Sequence, residues 1–408
     1  MFDPLILVRG IHMAATVLAA GTVAFMALIA DVPALRRQLI VSIWIALAAA
    51  ILSGLAWLVW LSADIYGASI ITVCLNGGVW SVLTETRFGL VWAVRLGLAL
   101  LLGIVIVWPA TRLLQLAAAA GLLALIALIG HAGATPGTAG QIHLVSDMVH
   151  LLAAGAWVGA LPALALLFYR ARTSGDTGWG AHAVATTRRF SLLGMASVGA
   201  LLASGVINSW NLLGGPRDLA TTDYGRLVLI KIGLFIAMVG IAAVNRFQLT
   251  PRLPEAGVLR KLQRNSLAET GLGLCALLVV GALGTLSPSG HAHSTSTPVS
   301  ADAAFAHIHT SEAMAEVTIE PGRAGTANAT IRILREDFSE FPAKDVQFAL
   351  EAPNDGSKIV RSAAHLPDGT WQMNALNLFQ SGVWTVRVTI SPQAGPLVML
   401  DAPIVIDR

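Results

Sequence analysis

The feature that most restricts the fold of this chain is a series of long apolar segments. A helix that crosses a bilayer needs about 20 predominantly apolar residues, and eight segments of the sequence meet that requirement. They cover residues 5–30, 40–62, 89–109, 113–131, 144–168, 190–213, 226–245 and 266–286. Only 12% of the residues are charged and 55% are hydrophobic, which excludes a soluble globular fold. The sequence therefore predicts an α-helical polytopic membrane bundle with eight transmembrane helices.

The loops between these segments predict how the bundle is oriented. Arg and Lys residues gather after the first, third, fifth and seventh spans, whereas the loops at 131–143 and 214–225 hold only Arg217 between them. Loops rich in Arg and Lys stay in the cytoplasm, so both termini are predicted to be periplasmic or extracellular. The basic residues behind the formal net charge of +3 lie in these loops and serve to orient the protein. We therefore infer no nucleic-acid partner and expect the protein to contact membrane lipid. The shorter apolar stretch 68–83 is interrupted by Asn76-Gly77-Gly78, which indicates an interfacial or re-entrant piece.

A polar stripe opens the fifth span. His143, Asp147 and His150 follow one another at intervals of four and three residues, so their side chains project from one face of a helix. Polar groups at membrane depth are costly and mark functional sites, and imidazole binds copper as well as zinc and nickel. Two more histidines lie in the predicted outer half of other spans. The predicted metal ligands are His12, His150, His143 and His131, with Asp147 and Trp157 supporting them.

The spans also repeat a set of short motifs. His12 is followed by a glycine after nine residues, and so is His150. The other paired positions keep the same order in the chain: Ser53-Gly54 with Ser204-Gly205, Thr86 with Thr222, Phe88 with Tyr224, Gly89 with Gly225, and Arg95 with Lys231. This order predicts two four-helix halves related by a parallel repeat. His12 and His150 are then equivalent positions, and we expect them to bind one metal between the halves.

The composition changes after residue 286. Residues 287–313 are rich in Ser, Thr, Pro and Ala and are predicted to form a linker. From 314 to 408, alternating apolar runs are separated by Gly, Pro, Asn and Asp turns, which is typical of a small all-β, immunoglobulin-like sandwich. The candidate accessory metal ligands in this region are His291, His293, His307, His309 and Met314.

Residues 186–253 and the segment "HLLAAGAWVGALPAL" at 150–164 resemble the copper-resistance D (CopD) family of bacterial inner-membrane proteins. The resemblance covers about 290 residues and rests on Phe190-Ser191, Ser204-Gly205-Val206 and Tyr224-Gly225-Arg226 followed by Lys231. The family's common Trp-x-Gly-Gly reads Trp157-Val158-Gly159-Ala160 in this chain. The closing "LNLFQSGVWTVRVTI" resembles YtkA-like periplasmic domains. The resemblance implies copper handling or import, with periplasmic copper received at the outer face.

Copper import or delivery is thus the leading functional hypothesis, with a periplasmic copper chaperone as a candidate partner. His and Met ligands favour Cu(I), and Met26, Met195 and Met238 are candidate stepping points in the inner half. One alternative is a membrane oxidoreductase that holds haem b between histidines of facing helices. Another is a copper sensor or assembly factor that transports nothing. No motif of an enzyme is present, and we predict a protein that is not an enzyme.

Overall fold

The computed structural model describes most of the chain. The described residues are 4–66, 69–130, 137–174, 178–213, 215–253, 255, 257–286, 302–309, 313–335, 340–353, 357–393 and 395–407. They divide into two compact units, a helical unit of residues 1–63 and 69–293 and a β unit of residues 294–408 that also includes 64–68. Each unit is described by itself.

The helical unit is built from α-helices throughout its described residues. These are α1 (Pro4–Ala24), α2 (Pro33–Ile65), α3 (Ile70–Leu75), α4 (Gly78–Glu85), α5 (Arg87–Val105), α6 (Arg112–Ala124), α7 (Gly137–Trp157), α8 (Leu161–Thr173), α9 (Gly178–Leu212), α10 (Asp218–Thr221), α11 (Asp223–Val244) and α12 (Val258–Leu283). Short 3₁₀ or π turns extend or join several of them, at Phe25–Ile29, Pro109–Thr111, Leu125–Ile129, Val158–Ala160, Asn245–Leu249 and Thr250–Arg252.

Eight helical segments in the described residues are long and apolar enough to cross a membrane. They are Pro4–Ile29, Pro33–Ile65, Phe88–Val105, Pro109–Ile129, Gly140–Thr173, Gly178–Leu212, Asp223–Arg252 and Val258–Leu283. The predicted eight-helix bundle is therefore confirmed. The second, sixth and eighth helices begin 7 to 12 residues earlier than the apolar runs predicted. Their first turns carry Arg and Lys, which are good helix formers but do not count toward an apolar run.

The fifth span is interrupted where it crosses α1. α7 passes into α8 through the 3₁₀ turn Val158–Ala160, and α8 has a proline in its first turn. A Cβ on Gly21 would lie 2.2 Å from the carbonyl carbon of Gly159, and a Cβ on Gly159 would lie 2.0 Å from the carbonyl oxygen of Val17. The two backbones are in direct contact, which only glycine permits at this crossing.

The stretch predicted to be interfacial or re-entrant forms the short helices α3 and α4. Ser69 caps α3 by accepting a hydrogen bond from the Thr72 amide at 3.2 Å. Gly77, with φ of 75°, separates the two helices in the left-handed conformation that favours glycine. Neither helix is long enough to span a bilayer.

The β unit contains two antiparallel sheets. Its strands are β1 (Ala304–His309), β2 (Met314–Glu320), β3 (Gly325–Leu334), β4 (Ala343–Glu351), β5 (Lys358–Ser362), β6 (Ala364–His365), β7 (Trp371–Leu378), β8 (Gly382–Pro392) and β9 (Val398–Ile406). One sheet has the order β1-β2-β3-β7-β6 and the other β5-β4-β8-β9. Alternate residues such as Val317, Phe348 and Trp384 are fully buried between them, which confirms the predicted all-β fold.

The first strand of the β unit lies before residue 314, the predicted start of the sandwich. Residues 304–309 were assigned to the linker but form β1, which pairs along its whole length with β2. In the sequence "AFAHIH" every second residue, Ala304, Ala306 and Ile308, is apolar and buried. The Ser- and Thr-rich composition around it obscured that strand pattern.

Candidate functional site

His12 is held on α1 by hydrogen bonds to α2. Its Nδ1 lies 2.9 Å from the carbonyl oxygen of Ala50 and 3.3 Å from Oγ of Ser53. A carbonyl oxygen only accepts, so Nδ1 carries the proton and Nε2 of the neutral ring holds the lone pair. Nε2 is buried and has no hydrogen-bond partner among the described residues.

His150 is held on α7 in the same way. Its Nδ1 lies 2.9 Å from Oγ of Ser204 on α9. The Ser204 hydroxyl donates its own proton to the carbonyl of Ala200 at 2.6 Å, so the histidine donates to the serine. Nε2 again holds the lone pair. Histidines that bind metals usually donate their other ring N–H in this manner.

The two histidine sites match in further details. Ser53 donates to the carbonyl of Ala49 at 2.6 Å, as Ser204 does to that of Ala200. The next residue in each half is a glycine, and a Cβ there would lie 3.1 Å from Cε1 of His12 or 3.7 Å from Cε1 of His150. Each imidazole thus packs against a Ser-Gly pair of the following span.

The capping motifs of the repeat match as well. Thr86 accepts a hydrogen bond from the Gly89 amide at 3.0 Å, and Thr222 accepts one from the Gly225 amide at 3.0 Å. Each threonine hydroxyl also donates to a carbonyl four residues earlier. The predicted repeat therefore corresponds to equivalent hydrogen bonds in the two halves.

The charges around the two histidines differ. His12 and Arg95 line one small cavity with Trp92, and Nε of Arg95 donates to the Leu122 carbonyl at 3.2 Å. In the second half, Lys231 interacts electrostatically with both Asp147 and His150. In the second half the cation is therefore near a carboxylate as well as an imidazole.

The polar stripe of α7 forms the N-terminal part of this second site. Asp147 Oδ1 accepts a hydrogen bond from Nδ2 of Asn208 at 3.1 Å. His143 is 1% exposed, and Ser146 donates to the Ser204 carbonyl at 3.2 Å. The face predicted from the spacing of the stripe is directed at α9 and α11.

The structure places His12 and His150 in separate halves of the helical unit. His12 contacts α2 and lines a cavity with α5 and α6, whereas His150 contacts α9 and Lys231 of α11. In the described ranges, no three His, Cys, Asp or Glu side chains are grouped as ligands of one ion. His131, His291 and His293 lie outside the described residues.

The candidate ligands of the β unit lie on its first two strands. In the register of β1 and β2, His307 is opposite Glu316 and His309 is opposite Met314. Burial raises the pKa of the Glu316 carboxyl above its ordinary value, and the charge of Arg332 partly offsets this rise. Met314 is fully buried, but it lies on the face of β2 opposite the core residues Ala315 and Val317.

The methionines predicted as stepping points have different surroundings. Met26 and Met238 are buried, whereas Met195 is 44% exposed on the surface of the helical unit. A Cβ on Gly273 of α12 would lie 3.5 Å from Cε of Met238. Met238 therefore contacts α12, and Met195 does not have the buried position expected of a stepping point.

A buried carboxyl group on α12 was not predicted from the sequence. Glu269 of α12 is 1% exposed, and its Oε1 accepts a hydrogen bond from Asn245 at 2.8 Å. Asn245 accepts one in turn from Asn265 at 2.6 Å. Trp157, predicted to support the outer histidines, hydrogen-bonds Glu269 instead. A single Glu within the apolar run of the eighth span is the signal that would have identified it.

Comparisons with known proteins cover most of the helical unit. Residues 1–141 match the family model described as copper resistance protein D-like, N-terminal domain. Residues 184–283 match the model of copper resistance protein D.

Three curated proteins are similar to this chain. Inner membrane protein YebZ of Escherichia coli is 33% identical over 222 residues, which cover 53% of this chain and 74% of that protein. Copper resistance protein D of Pseudomonas syringae is 30% identical over 222 residues, covering 51% and 71%. Copper transport protein CutJ of Bacillus subtilis is 27% identical over 330 residues, covering 76% and 57%.

Proposed function

The chain belongs to the copper resistance protein D family of multi-pass membrane proteins that handle copper, and we propose that it imports copper through a site centred on His150. The observation that carries this proposal is the fixed imidazole of His150. Nδ1 donates to Ser204, which leaves the Nε2 lone pair for a metal, and Asp147 supplies a negative charge three residues away on the same face.

Electrostatics favours the second half over the first as the copper site. Two unit charges about 4 Å apart repel by about 4 kcal/mol at an effective dielectric constant of about 20. Arg95 lines the same small cavity as His12, and its charge opposes a cation there. In the second half the cation Lys231 has the carboxylate of Asp147 nearby, whereas no such carboxylate acts on Arg95 among the described residues.

The spacing of residues on α7 and α11 supports a path from this site toward the inner half. Trp157 follows His150 by seven residues and Met238 follows Lys231 by seven, which is about two helical turns or 10 Å in each case. Trp157 hydrogen-bonds Glu269, and Met238 contacts α12 one turn beyond Glu269. The thioether of Met238 and the carboxylate of Glu269 thus lie on the proposed cytoplasmic side of the His150 imidazole.

We also propose a direction of transport and an oxidation state for the copper. Loop charges place the N-terminal ends of α1 and α7 outside the cytoplasm, so copper enters at His143 and Asp147 and leaves past Glu269. Imidazole and thioether ligands favour Cu(I), delivered by a periplasmic copper chaperone. We further propose that the protein is a carrier and not an oxidoreductase, so the purified protein should show no Soret band.

Copper accumulation by cells that express the full chain tests this function. His150→Ala should lower the initial rate of radioactive copper uptake at least about tenfold, because one lost ligand weakens a metal site by that factor or more. His182→Ala is the matched control, since His182 is exposed on the first turns of α9. Uptake by the His150→Ala variant at the wild-type rate, with equal amounts of protein in the membrane, would refute the proposal.

Reporter fusions test the orientation separately. Fusions in the loops at 175–177 and 254–256 should give cytoplasmic signals, and a fusion at 134 should not. The reverse pattern would place His150 on the cytoplasmic side and make export the only consistent direction.

A further inference from the structure

The cavity beside His12 is surrounded by polar atoms that lack partners. Nη1 and Nη2 of Arg95 and Nε1 of Trp92 are buried and have no hydrogen-bond partner among the described residues. Arg95 is 3% exposed, and Trp92 and His12 are each 4% exposed. All three residues line one cavity of about 20 Å³. Arg95 and Trp92 thus bring three unpaired donor nitrogens to this space, where Nε2 of His12 is the one unpaired side-chain acceptor among the described residues.

The internal repeat shows what this half lacks. In the second half, the cation Lys231 has the carboxylate of Asp147 nearby. The position equivalent to Asp147, three residues before the histidine, is Arg9 in the first half. Arg9 stacks over the Trp57 ring with 5.0 Å to its centroid and donates to the Gly284 carbonyl.

The first half therefore buries a guanidinium without the carboxylate that its counterpart has. Among the described side chains, none with a negative charge acts on Arg95. An uncompensated buried charge costs several kcal/mol. A water molecule in the cavity could accept from the N–H groups, but it would leave the charge unbalanced.

The size of the cavity limits what can balance that charge. About 10 to 15 Å³ of this kind of space holds one water molecule, so a cavity of about 20 Å³ has room for one water-sized particle. A monatomic anion is among the smallest species that carry a negative charge. We propose that the His12–Trp92–Arg95 cavity is a binding site for a single monatomic anion of the halide class, for which chloride is the probe. Arg95 supplies charge and two donor nitrogens and Trp92 supplies one, so the anion contacts these two residues and not the lone pair on Nε2 of His12.

Thermal unfolding of the full chain, purified in detergent and stripped of copper, tests the site. Chloride replaces gluconate at constant ionic strength. The wild-type melting temperature should rise in a saturable manner, by about 1–2 °C once chloride exceeds its dissociation constant fivefold. Arg95→Gln should abolish the rise and should be no less stable than wild type in gluconate, because it removes the unbalanced charge. Arg37→Gln, at an exposed arginine, is the matched control and should keep the rise.

Two further measurements keep the test decisive if Arg95→Gln fails to fold. Trp92→Phe retains the ring and loses one donor to an anion, which should raise the half-saturating chloride concentration about tenfold. Crystals of the wild type grown in bromide should show an anomalous peak in the cavity. A melting temperature independent of chloride, or a cavity filled by water alone, would overturn the proposal. Copper takes no part in these measurements, so they are independent of the transport function.

Discussion

Replacing Ser204 with alanine isolates the effect of one hydrogen bond on the proposed copper site. The change removes the oxygen that accepts from Nδ1 of His150 at 2.9 Å and leaves the metal-binding Nε2 in place. The Ser204 side chain is 3% exposed, so water does not readily replace the lost acceptor. Losing such a supporting partner costs about 10- to 100-fold in metal affinity, or about 1.4–2.7 kcal/mol.

The equivalent serine of the first half provides a matched control. Ser53 lies 3.3 Å from Nδ1 of His12 and makes the same bonds to its own helix. Ser53→Ala should leave copper affinity within about twofold of wild type, because we place copper at His150.

Competition with a chromophoric Cu(I) chelator would measure the affinity of both variants and of Ser204→Thr, which restores the hydroxyl. Equal losses in Ser53→Ala and Ser204→Ala would show that both histidines bind the metal. No loss in either variant would remove His150 from the site.

Three further outcomes follow from the same contacts. His12→Ala should change Cu(I) affinity little, and its loss should simply add to that of His150→Ala, whereas strong non-additivity in the double variant would indicate one metal shared by the two rings. Glu269→Gln should lower copper uptake at least about tenfold while Cu(I) affinity at equilibrium stays near wild type, and a variant that transports normally would contradict the inner path. Gly159→Ala should destabilise the helical unit by about 3 kcal/mol or more, seen as a lower melting temperature, because its Cβ would lie 2.0 Å from the Val17 carbonyl oxygen; a wild-type melting temperature would contradict the close crossing.

The number of spans could be predicted from the sequence because each crossing needs its own apolar run. The helix ends could not, since water satisfies the backbone of helical turns outside the bilayer whatever their side chains. α9 begins at Gly178, and its first turns include His182, Arg188 and Arg189. A span predicted from hydropathy leaves out such polar turns, although they belong to the same helix.

The repeat was predicted from small motifs, and the contacts of those motifs explain why it could be detected. Ser204-Gly205 and Ser53-Gly54 recur because each serine hydroxyl hydrogen-bonds a histidine Nδ1 and each glycine leaves space for the imidazole ring. Spacing along a helix shows which face a histidine occupies but not which helix lies opposite that face. The sequence could therefore relate His12 to His150, yet it could not show that each contacts the helices of its own half.

The two halves differ mainly in charge, and this difference gives them separate roles. The His-Ser-Gly arrangement is the same in both, whereas Arg9 and Trp57 occupy the positions that Asp147 and Asn208 occupy in the second half. A carboxylate next to the imidazole favours a metal cation, and a guanidinium next to the imidazole favours an anion. Placing Asp at position 9 should therefore supply the missing carboxylate to the first half. Arg9→Asp should make chloride unnecessary for stability and should allow the His12 imidazole to bind copper, so that copper affinity becomes sensitive to Ser53→Ala, as it is to Ser204→Ala in the second half.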